Sequence, residues 1–201
     1  MIKAGIFDIG GVLLRWTNLP LFEDIDQTLL ITEEQRNEHW LKYMNLLEVG
    51  KITEKEFWEG FIKDTGAKGE LPEESLLQRR FKERLTIDEE VLKIPHELKG
   101  KGHKIAIISN TITPHAEAMK ATTLFSGFDV VVLSNEIGHR KPGNEIFELT
   151  LSRLGVAPEE SFFVDDLPVN ADAASAFGIH GIVFHDRDQL RREITKLGVK
   201  I

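Results

Sequence analysis

The stretch Ile2–Leu14, IKAGIFDIGGVLL, constrains this chain more than any other. Ile2, Ala4, Ile6 and Phe7 form a short apolar run without helical spacing, which predicts a buried strand. Asp8 ends the run, and Gly10 and Gly11 follow at once. The backbone must therefore leave the strand through a tight turn, close to a neighbour. A carboxylate at the carboxyl end of a buried strand, beside a glycine turn, stands where open α/β sheets bind ligands. On this stretch alone, an Asp8 that merely caps the turn is an equal reading.

The rest of the chain falls into two kinds. From about Thr17 to Leu85 no strand-like run occurs, and helix starts stand at Thr32, Thr53 and Pro72, with a further helix over about Leu19 to Leu30. From Ile87 onward helices and apolar strands alternate. The predicted strands are Lys104–Ile108, Asp129–Leu133, Ser161–Val164 and Gly181–Phe184. The helices between them are 89–99, bent or interrupted at Pro95, then 114–122, 142–154, 170–177 and 187–196. This alternation predicts an α/β fold, a Rossmann-like doubly wound parallel sheet of five core strands. Residues 1–15 and 86–201 form that core, and residues 16–85 form an inserted helical domain.

Composition excludes several functions. The 201 residues include no cysteine, so disulfides and thiolate metal sites are ruled out, in keeping with a cytoplasmic setting. The net charge of -8 argues against nucleic acid or an anionic membrane as the main partner. No apolar run is long enough to span a bilayer, and the N-terminus carries no secretory pattern. An acidic chain that binds an anionic ligand must do so through local donors or a cation.

Three predicted strands end in polar groups: Asp8, Ser109-Asn110 and Asp165-Asp166. In a doubly wound sheet these ends share one edge, and Lys141 precedes a helix whose N-terminus points to the same edge. Asp8 with Asp165 or Asp166 makes a hard-oxygen site suited to Mg²⁺. Clustered carboxylates repel one another unless a cation neutralises them. Asp8 can also act as a nucleophile, while Ser109, nearby backbone N–H groups and Lys141 can donate to phosphoryl oxygens. Each element alone is a common turn, loop or helix start; their order is what speaks for a site.

The four motifs FDIGGV around Asp8, IISN at Ser109, RKP at Lys141 and FFVDD at Asp165-Asp166 resemble those of the haloacid dehalogenase-like hydrolases, in their phosphatase branch with a helical cap. The resemblance covers Met1 to about Phe184 and implies the strand order 3-2-1-4-5. It also implies an Asp8 nucleophile and Mg²⁺ held by Asp8, the Gly10 carbonyl and Asp166, with Asp165 assisting. Ser109, Asn110 and Lys141 would then bind the phosphoryl group of a small phosphorylated metabolite, in a monomer or homodimer. Phosphatases of this kind usually carry a second Asp two residues after the nucleophile, as general acid and base. Here that position is Gly10. Three readings follow. The substrate has a good leaving group, as a sugar 1-phosphate or acyl phosphate does; or another group substitutes, from substrate or from Glu23, Asp24, Asp26 or His39 of the insert; or turnover is lost and the protein only binds a phosphorylated ligand or a partner. Arg15 follows the glycine turn and is either a contact for a substrate hydroxyl or carboxylate, or an ion-paired surface residue. Of the large apolar residues Trp16, Phe22, Trp40, Trp58 and Phe61, most are expected in the core of the insert and one against substrate.

Overall fold

A computed structural model describes residues 1–15 and 22–201. The chain begins with β1 (Ala4–Phe7), curls through the glycine turn into β2 (Leu14–Arg15), and enters the helices α1 (Phe22–Leu29), α2 (Glu33–Glu48), α3 (Glu54–Thr65) and α4 (Leu76–Arg84). It returns through β3 (Thr86–Ile87) and α5 (Glu89–Gly100) to β4 (Lys104–Ser109). Then come α6 (Thr113–Lys120), β5 (Val130–Leu133), α7 (Ser134–Ile137), α8 (Asn144–Leu154), β6 (Ser161–Asp165), α9 (Pro168–Ala176), β7 (His180–Val183) and α10 (Arg187–Lys196).

The five core strands lie in the order β5-β4-β1-β6-β7, all parallel, which is the predicted 3-2-1-4-5. β1 is central, and it alternates between two cores. Ala4 and Ile6 point into one apolar cluster with Ile146, Phe147 and Phe163, while Phe7 points into the other with Phe162, Ile107 and Val91. Gly5 lies under the Phe162 ring, where a Cβ would come within 2.7 Å of that ring. A sheet covered on both faces explains why its strands read as continuous apolar runs.

The helices α1–α4 have an apolar cluster of their own, in which Trp40 meets Phe57 and Phe61 edge-on at 5.3 and 5.7 Å. Trp58 is buried there too, whereas Phe22 is partly exposed and Trp16 lies outside the described residues. The starts at Thr32 and Thr53 are capping boxes with Gln35 and Glu56, which satisfy the free N–H groups of α2 and α3. Pro72 does not open a helix. α4 begins after Ser75, whose hydroxyl accepts from Gln78 N–H at 2.9 Å. Of the predicted helix over 19–30, residues 22–29 are helical and 19–21 lie outside the described residues. Pro95 does not interrupt α5; Ile94, Pro95 and Leu98 are buried, and that packing outweighs one missing backbone bond.

An antiparallel pair of two-residue strands, β2 with β3, joins these helices to the sheet. The register Leu14↔Ile87 and Arg15↔Thr86 brings the outgoing and returning chain together beside the end of β1.

Candidate active site

Four loops at the carboxyl ends of the parallel strands bring Asp8, Ser109, Asn110, Lys141, Asp165 and Asp166 together. Asp8 leaves β1 with its N–H still bonded to the Val164 carbonyl at 2.9 Å, so its backbone is fixed to β6. The next residues fold back, with Leu14 N–H on the Ile9 carbonyl at 2.8 Å. Gly11 has φ +74°, and a Cβ there would stand 2.2 Å from Oδ2 of Asp166. Both the left-handed backbone and the closeness of Asp166 demand glycine. Gly11→Ala is therefore expected to displace the Asp166 carboxylate and so to weaken, about tenfold or more, the hold of the three-carboxylate cluster on a divalent cation such as Mg²⁺. Calorimetric titration with Mg²⁺ measures this, and an unchanged affinity would contradict it.

Lys141 is the centre of the polar cluster. It is 1% exposed, and its Nζ lies 2.6 Å from both Asp8 Oδ1 and Asp165 Oδ2, with the Ile108 carbonyl at 3.3 Å. The two carboxylates keep the ammonium charged despite burial, which by itself would lower its pKa. Asn110 lines the cavity, and its side chain also binds the lysine backbone. Its amide donates to the Lys141 carbonyl at 2.9 Å and accepts from the Lys141 N–H at 2.8 Å. This clamp holds the lysine backbone in place.

Asp165 is fully buried and heavily engaged. It accepts from Lys141 Nζ, from Leu167 N–H at 2.9 Å, and from the Asn170 amide at 3.0 and 3.1 Å. Asn170, in the first turn of α9, is thus a site residue that sequence reasoning missed. Its only signal was its position five residues beyond Asp165. Asp166 is less buried and lines the cavity with Asp8 and Gly10.

One oxygen from each of Asp8, Asp165 and Asp166 falls within 4.8 Å of the others. Three carboxylates face one buried lysine, and burial together with mutual repulsion pushes the carboxyls of Asp8 and Asp166 upward, Asp8 to about 6. A hard divalent cation fits this donor set and relieves that repulsion. The sign follows for the metal-free protein. Between about pH 4 and pH 6 the folded state holds a proton on Asp8 that the unfolded chain releases, so this carboxyl makes stability fall as pH rises through that window. The loss reaches about 3 kcal/mol at most. Urea unfolding of wild type and Asp8→Asn in chelator, from pH 4 to 8, isolates it. A stability difference that does not change with pH would contradict it.

Asp8, Gly10, Ser109, Asn110, Lys141 and Asp166 line a cavity of about 370 Å³, together with Glu48, Arg140, Leu167 and Asn170. A larger hollow of about 960 Å³ lies across Gly11, lined by Arg15, Asp88, Arg187 and neighbours, and contains none of the strand-end carboxylates. Arg15 belongs there: its Nε donates to Asp88 at 2.6 Å, and its side chain is mostly exposed. Ser109 is buried at the rim of the smaller cavity. Glu23, Asp24, Asp26 and His39 do not line it; Asp24 pairs with Arg80 and Asp26 with Arg36.

Comparison with known proteins agrees with this geometry. A family model described as haloacid dehalogenase-like hydrolase matches residues 2–178. A sesquiterpene phosphatase, astK, from Aspergillus oryzae is 28% identical over 92% of this chain and 90% of its own length. The drimenol cyclase drtB of Aspergillus calidoustus is 27% identical over 98% of this chain, but the chain spans only 37% of that protein. Among solved structures, a HAD family enzyme from Bacteroides thetaiotaomicron in complex with magnesium is 25% identical. It superposes with a TM-score of 0.75 over 95% of this chain and 98% of that one.

Proposed function

The chain belongs to the haloacid dehalogenase-like hydrolases, and on that footing we propose that it is a magnesium-dependent phosphatase of a small phosphoester, with Asp8 as the nucleophile. The observation that carries this reading is the convergence of Asp8, Asp165 and Asp166 on the buried Lys141. That array suits a phosphoryl group better than an uncharged substrate. The magnesium complex of the Bacteroides relative and the phosphatase name of the Aspergillus one support it.

In this reading an Asp8 oxygen attacks phosphorus, the bond to the leaving oxygen breaks, and an aspartyl-phosphate forms. Lys141 and Ser109 neutralise and orient the phosphoryl oxygens in a water-poor pocket, where such contacts are strong. Asp165, held by Asn170 and the Leu167 N–H, fixes the Lys141 ammonium between itself and Asp8. Magnesium held by Asp8, Asp166 and the Gly10 carbonyl would withdraw charge from the phosphoryl group. Water then hydrolyses the aspartyl-phosphate and frees Asp8. In the same reading the insert acts as a cap: Glu48, at the end of α2, reaches the cavity, and exclusion of bulk water is the role such a lid would play.

The reading is tested by incubating purified protein and Mg²⁺ with a panel of sugar, acyl, alkyl and aryl phosphates. Phosphate release from at least one class, lost on chelation, is the expected result. No release from any class would leave a protein that only binds phosphorylated ligands.

A further inference from the structure

We propose that Glu48, at the end of the insert helix α2, is the general acid and base of this site, taking the part that Gly10 leaves vacant. This assignment rests on the phosphatase reading above and deepens it.

Glu48 lines the same cavity as Asp8, Gly10, Ser109, Lys141 and Asp166, and among the described residues it is the insert residue that does so. Its position is built rather than incidental. The Glu48 carbonyl accepts from the buried Ser134 hydroxyl at 2.6 Å, and that hydroxyl also accepts from the Thr111 N–H at 2.9 Å. Gly50 passes so close to α7 that a Cβ would lie 2.3 Å from the Asn135 carbonyl. The end of α2 is therefore docked on α7, which follows β5 directly. Glu48 Oε2 lies 2.8 Å from Arg140 Nη1, next to the site lysine in sequence, yet it is buried without a well-aligned hydrogen bond. That ion pair anchors Oε2 and leaves Oε1 as the oxygen that can bond a leaving oxygen or a water in the cavity.

The carboxyl is 23% exposed, and burial raises its pKa against the pull of Arg140 and Lys141. Those two are the charged groups acting on it; Glu136, on the docked helix α7, pairs with Lys120 instead. A raised pKa moves this carboxyl in the direction that general acid–base catalysis needs. In the first step protonated Glu48 gives its proton to the leaving oxygen as the phosphorus–oxygen bond breaks. In the second it takes a proton from the water that attacks the aspartyl-phosphate, which restores the starting state.

The test is Glu48→Gln, with Asp8→Asn beside it, assayed on an alkyl phosphate and on p-nitrophenyl phosphate. An aryl leaving group departs without a proton. Glu48→Gln should then lower kcat/KM for the alkyl ester about a hundredfold or more, while the aryl value stays within about threefold. With the aryl ester the variant should also accumulate phosphorylated Asp8, seen by mass, because the water attack has lost its base. That phosphoenzyme also shows that the variant is folded. Adding Gly10→Asp to Glu48→Gln should restore part of the alkyl activity. Equal losses on both esters, or no loss on either, would overturn the assignment while an inactive Asp8→Asn keeps the phosphatase reading. Full activity in Asp8→Asn, or a wild type inactive on both esters, would overturn both.

Discussion

Asp8→Asn is expected to lower phosphate release by about a thousandfold or more, without loss of the fold. The amide has the shape of the carboxylate but cannot attack phosphorus, so the covalent step is lost. The residue is 7% exposed, and an amide fills the same space beside Lys141. In chelator at neutral pH the variant should be more stable than wild type, because the charge that burial and Asp165 disfavour is gone. Loss of activity with a gain in metal-free stability separates a working nucleophile from a structural carboxylate. An Asp8 that served only as a turn cap would give the opposite: retained activity and lower stability.

The second large effect concerns Lys141. Replacing it with Met keeps much of the volume but leaves Asp8 and Asp165 buried with no cation between them. Removing one partner of a buried ion pair costs about 3–5 kcal/mol, because the other charge is left unpaired. For a chain of this length that lowers the melting temperature by roughly 10 °C. Magnesium should raise the melting temperature of Lys141→Met more than that of wild type, since it supplies the missing positive charge. The deficit should also shrink as the pH falls through about 6, where Asp8 takes up a proton. Calorimetry at pH 5 and 7.5, with and without Mg²⁺, measures both. A variant as stable as wild type at pH 7.5 in chelator would mean that Lys141 does not neutralise these groups. Catalysis should fall in the same variant, because the donor to the phosphoryl group is lost.

Much of this arrangement was legible in the sequence, for identifiable reasons. β1, β4 and β6 are buried on both faces, so each reads as an unbroken apolar run, and the polar residue that ends each run marks the sheet edge. Thr32 and Thr53 announce α2 and α3 because a capping box is a local interaction four residues wide. What was not legible depends on distant partners. β2 and β3 are two residues each and exist only because residues 14–15 and 86–87 meet. The Asn110 side chain also clamps the Lys141 backbone, a contact 31 residues away that no local pattern announces. Asn170 carries no pattern of its own until Asp165 is placed beside it. Glu48 reads as one more solvated acid at a helix end; only the docking of α2 against Ser134 brings it to the cavity. Residues that end an apolar run were readable, whereas those whose role depends on a partner distant in the chain were not.

The central claim is that one carboxylate, that of Asp8, takes the phosphoryl group. Rapid quenching of protein, Mg²⁺ and an aryl phosphate, followed by borohydride reduction, tests it most directly, because an acyl phosphate is reduced and a free carboxylate is not. Peptide mapping should then find homoserine at position 8, only when substrate was present. Homoserine at position 165 or 166 instead, or no reduction anywhere while phosphate is being released, would contradict the account.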